Sequence, residues 1–275
     1  MNLADAATLK AFLGRHGLWA SKGLGQHFLV SQKVVSAIVS SFSECRGVLE
    51  IGPGPGVLTA PLSESAERLV AIELDARMVE ALKESAPKAE VLQIDALKTD
   101  LRSVLQGLPE PRGLVSNLPY YITGPLLTKI SEAREHYSKA VLMMQKEVAE
   151  RVLAGPKTPA RGSLSVYLQL QFEIRLLVNA PAGAFMPPPK VDSAVLEFTP
   201  RTLPVPAGQA DALFKLIRFS FAQPRKTLVN NLVAGYHLDR EAATQVILSS
   251  GFKPTARPQE LANDQWPILL EHLPA

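Results

Sequence analysis

Leu49-Glu50-Ile51-Gly52-Pro53-Gly54-Pro55-Gly56 is the stretch on which the reading of this chain turns. A short apolar run, 47–51, meets glycines at alternate positions and then a segment of helical spacing from about Val57, which predicts strand, tight turn and helix. Glycine suits such a turn because the backbone must bend sharply and approach a ligand with no Cβ in the way. The spacing is G-x-G-x-G. It differs from the G-x-G-x-x-G that seats a pyrophosphate on a helix N-terminus, so a dinucleotide site is not what it encodes.

The same alternation repeats downstream. Apolar runs at 69–72, 89–94, 113–116 and 140–144 are separated by helical spacing such as 76–85 and 124–133. That pattern predicts a parallel sheet with helices on both faces. Beyond Gly162, residues 172–179 and 191–198, joined by the proline-rich 181–189, read as two strands that finish the sheet in antiparallel fashion. Upstream lie a helix over 5–17, a Gly- and Lys-rich segment over 18–30 and a second helix starting near Ser31. Downstream, Pro200, Pro204 and Pro206 stiffen a linker before helices over 210–222, 227–234, 240–249 and 258–273. The expected organisation is an N-terminal helix and covering segment (1–30), an α/β domain (31–202) and a small helical domain (203–275).

Bulk properties narrow the class. A chain of 275 residues with 47% hydrophobic and 20% charged residues buries a full core. The single cysteine, Cys45, excludes an intramolecular disulfide and reads as a buried thiol, and no cysteine or histidine cluster has metal-site spacing, so no metal is expected. No apolar run is long enough to cross a bilayer, and Asp5, Lys10 and Arg15 stand where a signal sequence is apolar, so a cytoplasmic protein with no membrane contact is expected. A monomer is the default.

The net charge of +3 is modest, but its distribution is uneven. Residues 6–43 hold no acid but carry Lys10, Arg15, Lys22 and Lys33; residues 212–238 hold no acid but carry Lys215, Arg218, Arg225 and Lys226. Two basic stretches around an acid-rich middle predict a rim that faces RNA phosphates, with Lys22, Arg218, Arg225 and Lys226 as candidate contacts.

Two carboxylates belong with the glycine turn. Glu73 ends the second strand about 20 residues past Gly52, where an acidic side chain accepts ribose hydroxyls. Asp95, followed by Ala96, ends the third strand, where it can accept from an adenine amino group. With Gly52, Gly54 and Gly56 they predict a nucleoside-binding crevice at the carboxyl edge of the sheet.

Ser116-Asn117-Leu118-Pro119-Tyr120-Tyr121 follows the fourth strand at the same edge, and it suits an amino group attached to a flat base. The lone pair of such a nitrogen is delocalised into the ring until its hydrogens are drawn away. The Asn117 side-chain oxygen and the Leu118 carbonyl, held by Pro119, are placed to accept one hydrogen each and aim the lone pair at a sulfonium methyl. Tyr120 is expected to stack on the base. No strong general base is needed, because the donor is a cation and the alkylated nitrogen loses its proton readily.

Taken together, Gly25-Gln26-His27-Phe28-Leu29, Glu50-Ile51-Gly52-Pro53-Gly54, Ile72-Glu73-Leu74-Asp75, Asp95-Ala96, Asn117-Leu118-Pro119-Tyr120-Tyr121 and Phe185-Met186-Pro187-Pro188-Pro189-Lys190-Val191-Asp192-Ser193 resemble the ribosomal RNA adenine dimethyltransferase family. The resemblance runs from about Gly23 to Gly251. It implies a Rossmann-like class I methyltransferase sheet with a small C-terminal α-helical domain, S-adenosylmethionine as cofactor, and dimethylation of two adjacent adenines in a loop of small-subunit ribosomal RNA, with the assembled 30S subunit as partner. It also implies that His27 and Leu29 contact the cofactor, that Gly52 lines it, that Glu73 and Asp95 hold its ribose and adenine, that Asn117 lies beside the methyl donor, and that Phe185 sandwiches the target base opposite Tyr120. The family often has asparagine where this chain has His27, so a backbone contact is the firmer expectation there. A large-subunit RNA adenine methyltransferase shares the fold and a similar Asn-x-Pro-Tyr site. A binding protein of ribosome assembly or transcription is the reading from a different class.

Overall fold

The computed structural model of the chain describes residues 1–19 and 27–274. Lys22, Gly25 and Gln26 lie outside the described residues. The chain divides into two compact units, Met1–Ala149 with Ile174–Pro200, and Glu150–Glu173 with Arg201–Ala275.

The first unit is built on a seven-stranded sheet. In chain order the strands are β1 (Phe28–Leu29), β2 (Gly47–Ile51), β3 (Arg68–Glu73), β4 (Glu90–Gln93), β5 (Arg112–Asn117), β6 (Lys139–Gln145), β7 (Phe172–Ala180), β8 (Phe185–Met186) and β9 (Ser193–Pro200). The large sheet has the order β4-β3-β2-β5-β6-β9-β7, and β1 pairs with β8 in a separate two-stranded sheet. Strands β2 to β6 pair in parallel, whereas β9 runs antiparallel to β6. Every residue of β2 is buried, as a central strand covered on both faces requires. Val48, Val115, Val141 and Val195 form one core with Leu9 and Phe12 of the helix Ala6–Arg15, Val34 and Ile38 of the helix Gln32–Ser40, and Leu62.

The parallel sheet with antiparallel closure expected from the sequence is borne out, and the differences are local. The sequence predicts a strand over 191–198, but β9 starts at Ser193, because Asp192 is drawn into loop contacts: its Oδ1 accepts from the Ala182 amide and its carbonyl from the Lys146 amide. The proline-rich 181–189 is not only a loop. It contains β8, whose register sets Phe28 against Met186 and Leu29 against Phe185. Cys45 is buried, and burial pushes its thiol pKa up, away from the reactive thiolate.

The second unit has its own core, in which Val166 and Leu170 of the helix Ser163–Gln171 pack with Leu213, Ile217, Leu228, Ile247, Trp266 and Leu269. A boundary at 202/203 therefore differs from the structural division, since Glu150–Glu173 joins the tail. That helix escapes sequence reading because Leu164, Val166, Leu168 and Leu170 alternate with polar or half-buried residues at period two, like a strand running on into β7. The helix expected over 258–273 is broken. A single 3-10 turn, Pro258–Glu260, is followed by Leu261 in extended conformation and the helix Gln265–Glu271. Among the described residues no helix is long and apolar enough to cross a membrane, and no group of His, Cys, Asp and Glu is arranged to hold a metal ion.

Candidate active site

Sheet register brings the separated motifs to one edge. Ile51 lies opposite Ile72 of β3 and Ser116 of β5, so Gly52, Glu73 and Asn117 all emerge where the strand order changes direction between β2 and β5. Crevices at such switch points bind ligands because the loops diverge there. The cavity has a volume of about 430 Å³ and is lined by Gly52, Gly54, Glu73, Asp95, Ala96 and Asn117, with Leu118, Pro119 and Tyr120 at the same opening and His27 and Leu29 from the N-terminal segment.

Glycines shape the turn in two different ways. Gly52 and Gly54 have φ of +71° and +55°, in the left-handed region that disfavours side chains, and Gly52 has open space where a Cβ would stand. Gly56, expected to line the cofactor, does not line the cavity. A Cβ there would meet Ser85 Oγ at 2.6 Å and Leu82 at 3.1 Å, so this glycine serves the close approach of the turn to the helix Ala76–Ser85.

Glu73 is tied into the turn it faces. Its Oε2 accepts from the Gly54 amide at 3.1 Å, and Oε1 accepts from the Leu74 and Asp75 amides at 2.8 and 2.9 Å. Burial pushes its pKa up, while the three amides pull the other way by favouring the carboxylate. Asp75 caps the next helix through the Arg77 amide, and the Arg77 side chain holds its carboxyl below the usual range. Asp95 accepts from the Leu97 amide at 2.9 Å and has a carboxyl partly open to the cavity.

Asn117 donates through Nδ2 to the His27 carbonyl at 3.4 Å, and His27 in turn donates through Nδ1 to the Pro187 carbonyl at 2.8 Å. The Leu118 amide donates to the Met143 carbonyl at 3.0 Å, which holds the Asn-Leu-Pro turn against β6. Tyr120 is half-buried. Its hydroxyl and Ser193 Oγ share a hydrogen bond of 2.9 Å, and its ring stacks beside His27 at 5.9 Å between centroids. Ring orientation is thus set from two sides. Burial raises the Tyr120 pKa, and Ser193 offsets part of that rise.

Phe185 does not join Tyr120. It is 3% exposed, packs in the core and is not among the residues that line the cavity. An aromatic ahead of a strand can serve either role, and tertiary packing decides between them. Sequence reasoning missed Glu50, Tyr121 and Ser193. Glu50 lines the cavity while 2% exposed, and its signal is a carboxylate inside the apolar run 47–51. Tyr121, 62% exposed, stands at the cavity mouth. Ser193 lies 73 residues from Tyr120, and nothing in the spacing connects them.

In the second unit Arg218, Arg225 and Lys226 are exposed. Arg218 lies over the Phe219 ring at 5.3 Å, and Lys215 lies near both Phe219 and Tyr236. The aromatics hold these cations at the surface, a geometry suited to phosphates and bases. Of the N-terminal basic residues, Arg15 is paired with Glu84 at 2.7 Å, which lowers its share of any RNA-facing charge.

Comparison with known proteins agrees with this geometry. A model of the ribosomal RNA adenine dimethylase family matches residues 19–266. The chain is 38% identical to a ribosomal RNA small subunit methyltransferase A of Shouchella clausii, over 99% of this chain and 96% of that protein. It is 37% identical to the protein of the same name from Streptococcus thermophilus, over 95% of this chain and 94% of that one. Among solved structures, a dimethyladenosine transferase of Plasmodium falciparum aligns with a TM-score of 0.70 at 26% identity, covering 88% of this chain and 96% of that chain. The 23S rRNA methyltransferase ErmE aligns with a TM-score of 0.67 at 26% identity, covering 90% of this chain and 99% of that chain.

Proposed function

Because the chain belongs to the ribosomal RNA adenine dimethylase family, we propose that it transfers methyl groups from S-adenosylmethionine to the exocyclic amino groups of two adjacent adenines in a loop near the 3′ end of small-subunit ribosomal RNA. The observation that carries this reading is the meeting of Gly52, Glu73 and Asp95 with Asn117-Leu118-Pro119-Tyr120 in one cavity. The first three suit a nucleoside, and the tetrapeptide suits an amino group on a base.

The residues fit S-adenosylmethionine. The open space at Gly52 would admit ligand atoms, the Glu73 carboxylate would hold the ribose hydroxyls, and the Asp95 carboxyl would accept from the adenine amino group. When bound, the cofactor supplies a methyl group on a cationic sulfur. The chain does the rest. Tyr120, fixed by Ser193 and His27, offers a stacking face to a base that has left its helix. Asn117 Oδ1 and the Leu118 carbonyl would accept the two amino hydrogens, which frees the nitrogen lone pair from the ring. Once methylated, the nitrogen would give up one amino proton to water. The second methylation repeats this with one hydrogen left to hold. The substrate is the assembled small subunit, and the exposed cations of the second unit hold RNA phosphates.

The test is transfer of labelled methyl from S-adenosylmethionine to small subunits lacking native methylation, with large subunits and DNA as parallel acceptors. Dimethyladenosine confined to small-subunit RNA is expected. Label in the large subunit instead would favour the activity named for ErmE, and no label anywhere would favour a binding protein.

A further inference from the structure

Glu50 is the cavity residue that the proposed chemistry leaves without a task. It sits one residue before the end of β2, flanked in register by the apolar Ala71 of β3 and Val115 of β5. Its side chain is 2% exposed, it lines the cavity, and its Oε2 has no hydrogen-bond partner. The Thr59 hydroxyl, at the start of the helix Thr59–Ser65, is the neutral polar group beside it. A buried carboxylate in such surroundings is costly unless a cation joins it.

The other cavity carboxylates are already engaged. Glu73 takes three backbone amides, Asp75 is held by Arg77, and Asp95 caps its own turn with Lys98 at 3.9 Å. Arg77 is committed to Asp75, and the His27 ring to the Pro187 carbonyl. The titratable groups on the catalytic turn are Tyr120, bonded to Ser193, and the exposed Tyr121 at the cavity mouth.

We propose that Glu50 is a positioning residue that is protonated in the ligand-free protein and becomes the buried counter-charge of a cationic ligand, so that binding releases a proton. This rests on the reading of the cavity as a site for S-adenosylmethionine. The step balances: Glu50 carboxylic acid and a cationic ligand give the carboxylate–cation pair and one proton passed to solvent. Burial pushes the Glu50 pKa up to about 8; the Thr59 hydroxyl opposes this and the Glu73 charge adds to it. The ligand's positive charge resides on the sulfonium, on the α-ammonium, or on both, and the ligands tested separate these sources.

The experiment is calorimetric titration of the full chain in two buffers of different protonation enthalpy at pH 7, with Glu50→Gln in parallel. S-adenosylmethionine carries both cations, S-adenosylhomocysteine only the α-ammonium, and 5′-methylthioadenosine neither. Wild type should release close to one proton more than Glu50→Gln on binding S-adenosylmethionine, and its Kd should fall up to about tenfold per pH unit until pH nears 8. Release with both charged ligands places the pairing at the α-ammonium; release with S-adenosylmethionine alone places it at the sulfonium. Neutral 5′-methylthioadenosine should bind both proteins equally without Glu50-linked release, which also shows the variant cavity to be intact. Equal proton release by wild type and Glu50→Gln, or equal release with the neutral ligand, overturns the inference while leaving the cofactor reading in place. Failure of every ligand to bind removes both. A second readout needs no ligand. Because the folded pKa lies above the ordinary 4.5, the folded protein holds an extra proton between 4.5 and about 8, so wild-type stability must fall as pH rises through that window. Glu50→Gln should lack that part of the fall.

Discussion

Asn117 and His27, 90 residues apart, are joined by a hydrogen bond from the Asn117 side-chain Nδ2 to the His27 carbonyl at 3.4 Å. The bond leaves Oδ1 as the free end of the amide, the end that an amino group needs. It also makes the Asn117 contact independent of the side chain at position 27, since it runs through backbone. Asn117→Ala should retain cofactor binding within about threefold and lose on the order of 100-fold in kcat, because it removes the acceptor at the reacting nitrogen and, besides that, only the long bond to the His27 carbonyl. Equal binding with near-normal single-turnover methylation would falsify the role of Asn117.

Glu73→Ala removes the acceptor facing the ribose and releases the three amides that Glu73 ties down. Cofactor Kd should rise by about 10- to 100-fold, equivalent to roughly 1.4–2.7 kcal/mol. Fluorescence or calorimetric titration measures it. A Kd within a factor of two of wild type would remove Glu73 from the site.

Gly56→Ala separates packing from ligand binding. The residue has φ +96°, and its Cβ would lie 2.6 Å from Ser85 Oγ. Stability should drop by about 1–3 kcal/mol in denaturant unfolding. The folded variant should bind cofactor with little change, which a direct cofactor contact at Gly56 would contradict.

Charge reversal of Arg218, Arg225 and Lys226 tests the exposed cations of the second unit. Affinity for small-subunit RNA should weaken, and the slope of log K against log salt should shrink by about 0.9 for each phosphate no longer neutralised, taking the duplex value as a guide. Cofactor affinity should not move. An unchanged salt slope would show that RNA phosphates are held elsewhere.

Sequence alone determined the sheet, its parallel core, the separate helical tail and the family, because each rests on local pattern: apolar runs of strand length, helical spacing between them and glycines at the first turn. It also identified Glu73, Asp95 and Asn117, since each lies at or just past a strand end and parallel register must bring those ends to one edge. Tertiary structure alone decided which way a given side chain faces. Gly56 and Phe185 belong to motifs that otherwise meet at the cavity, yet one packs against Ser85 and the other in the core, because contacts with elements distant in the chain set their places. Ser193 reaches Tyr120, and Glu50 is left as a buried acid with an unpartnered oxygen, through contacts between elements distant in the chain. Local pattern carries no information about such contacts, since they arise only when the separate strands and helices close around one another.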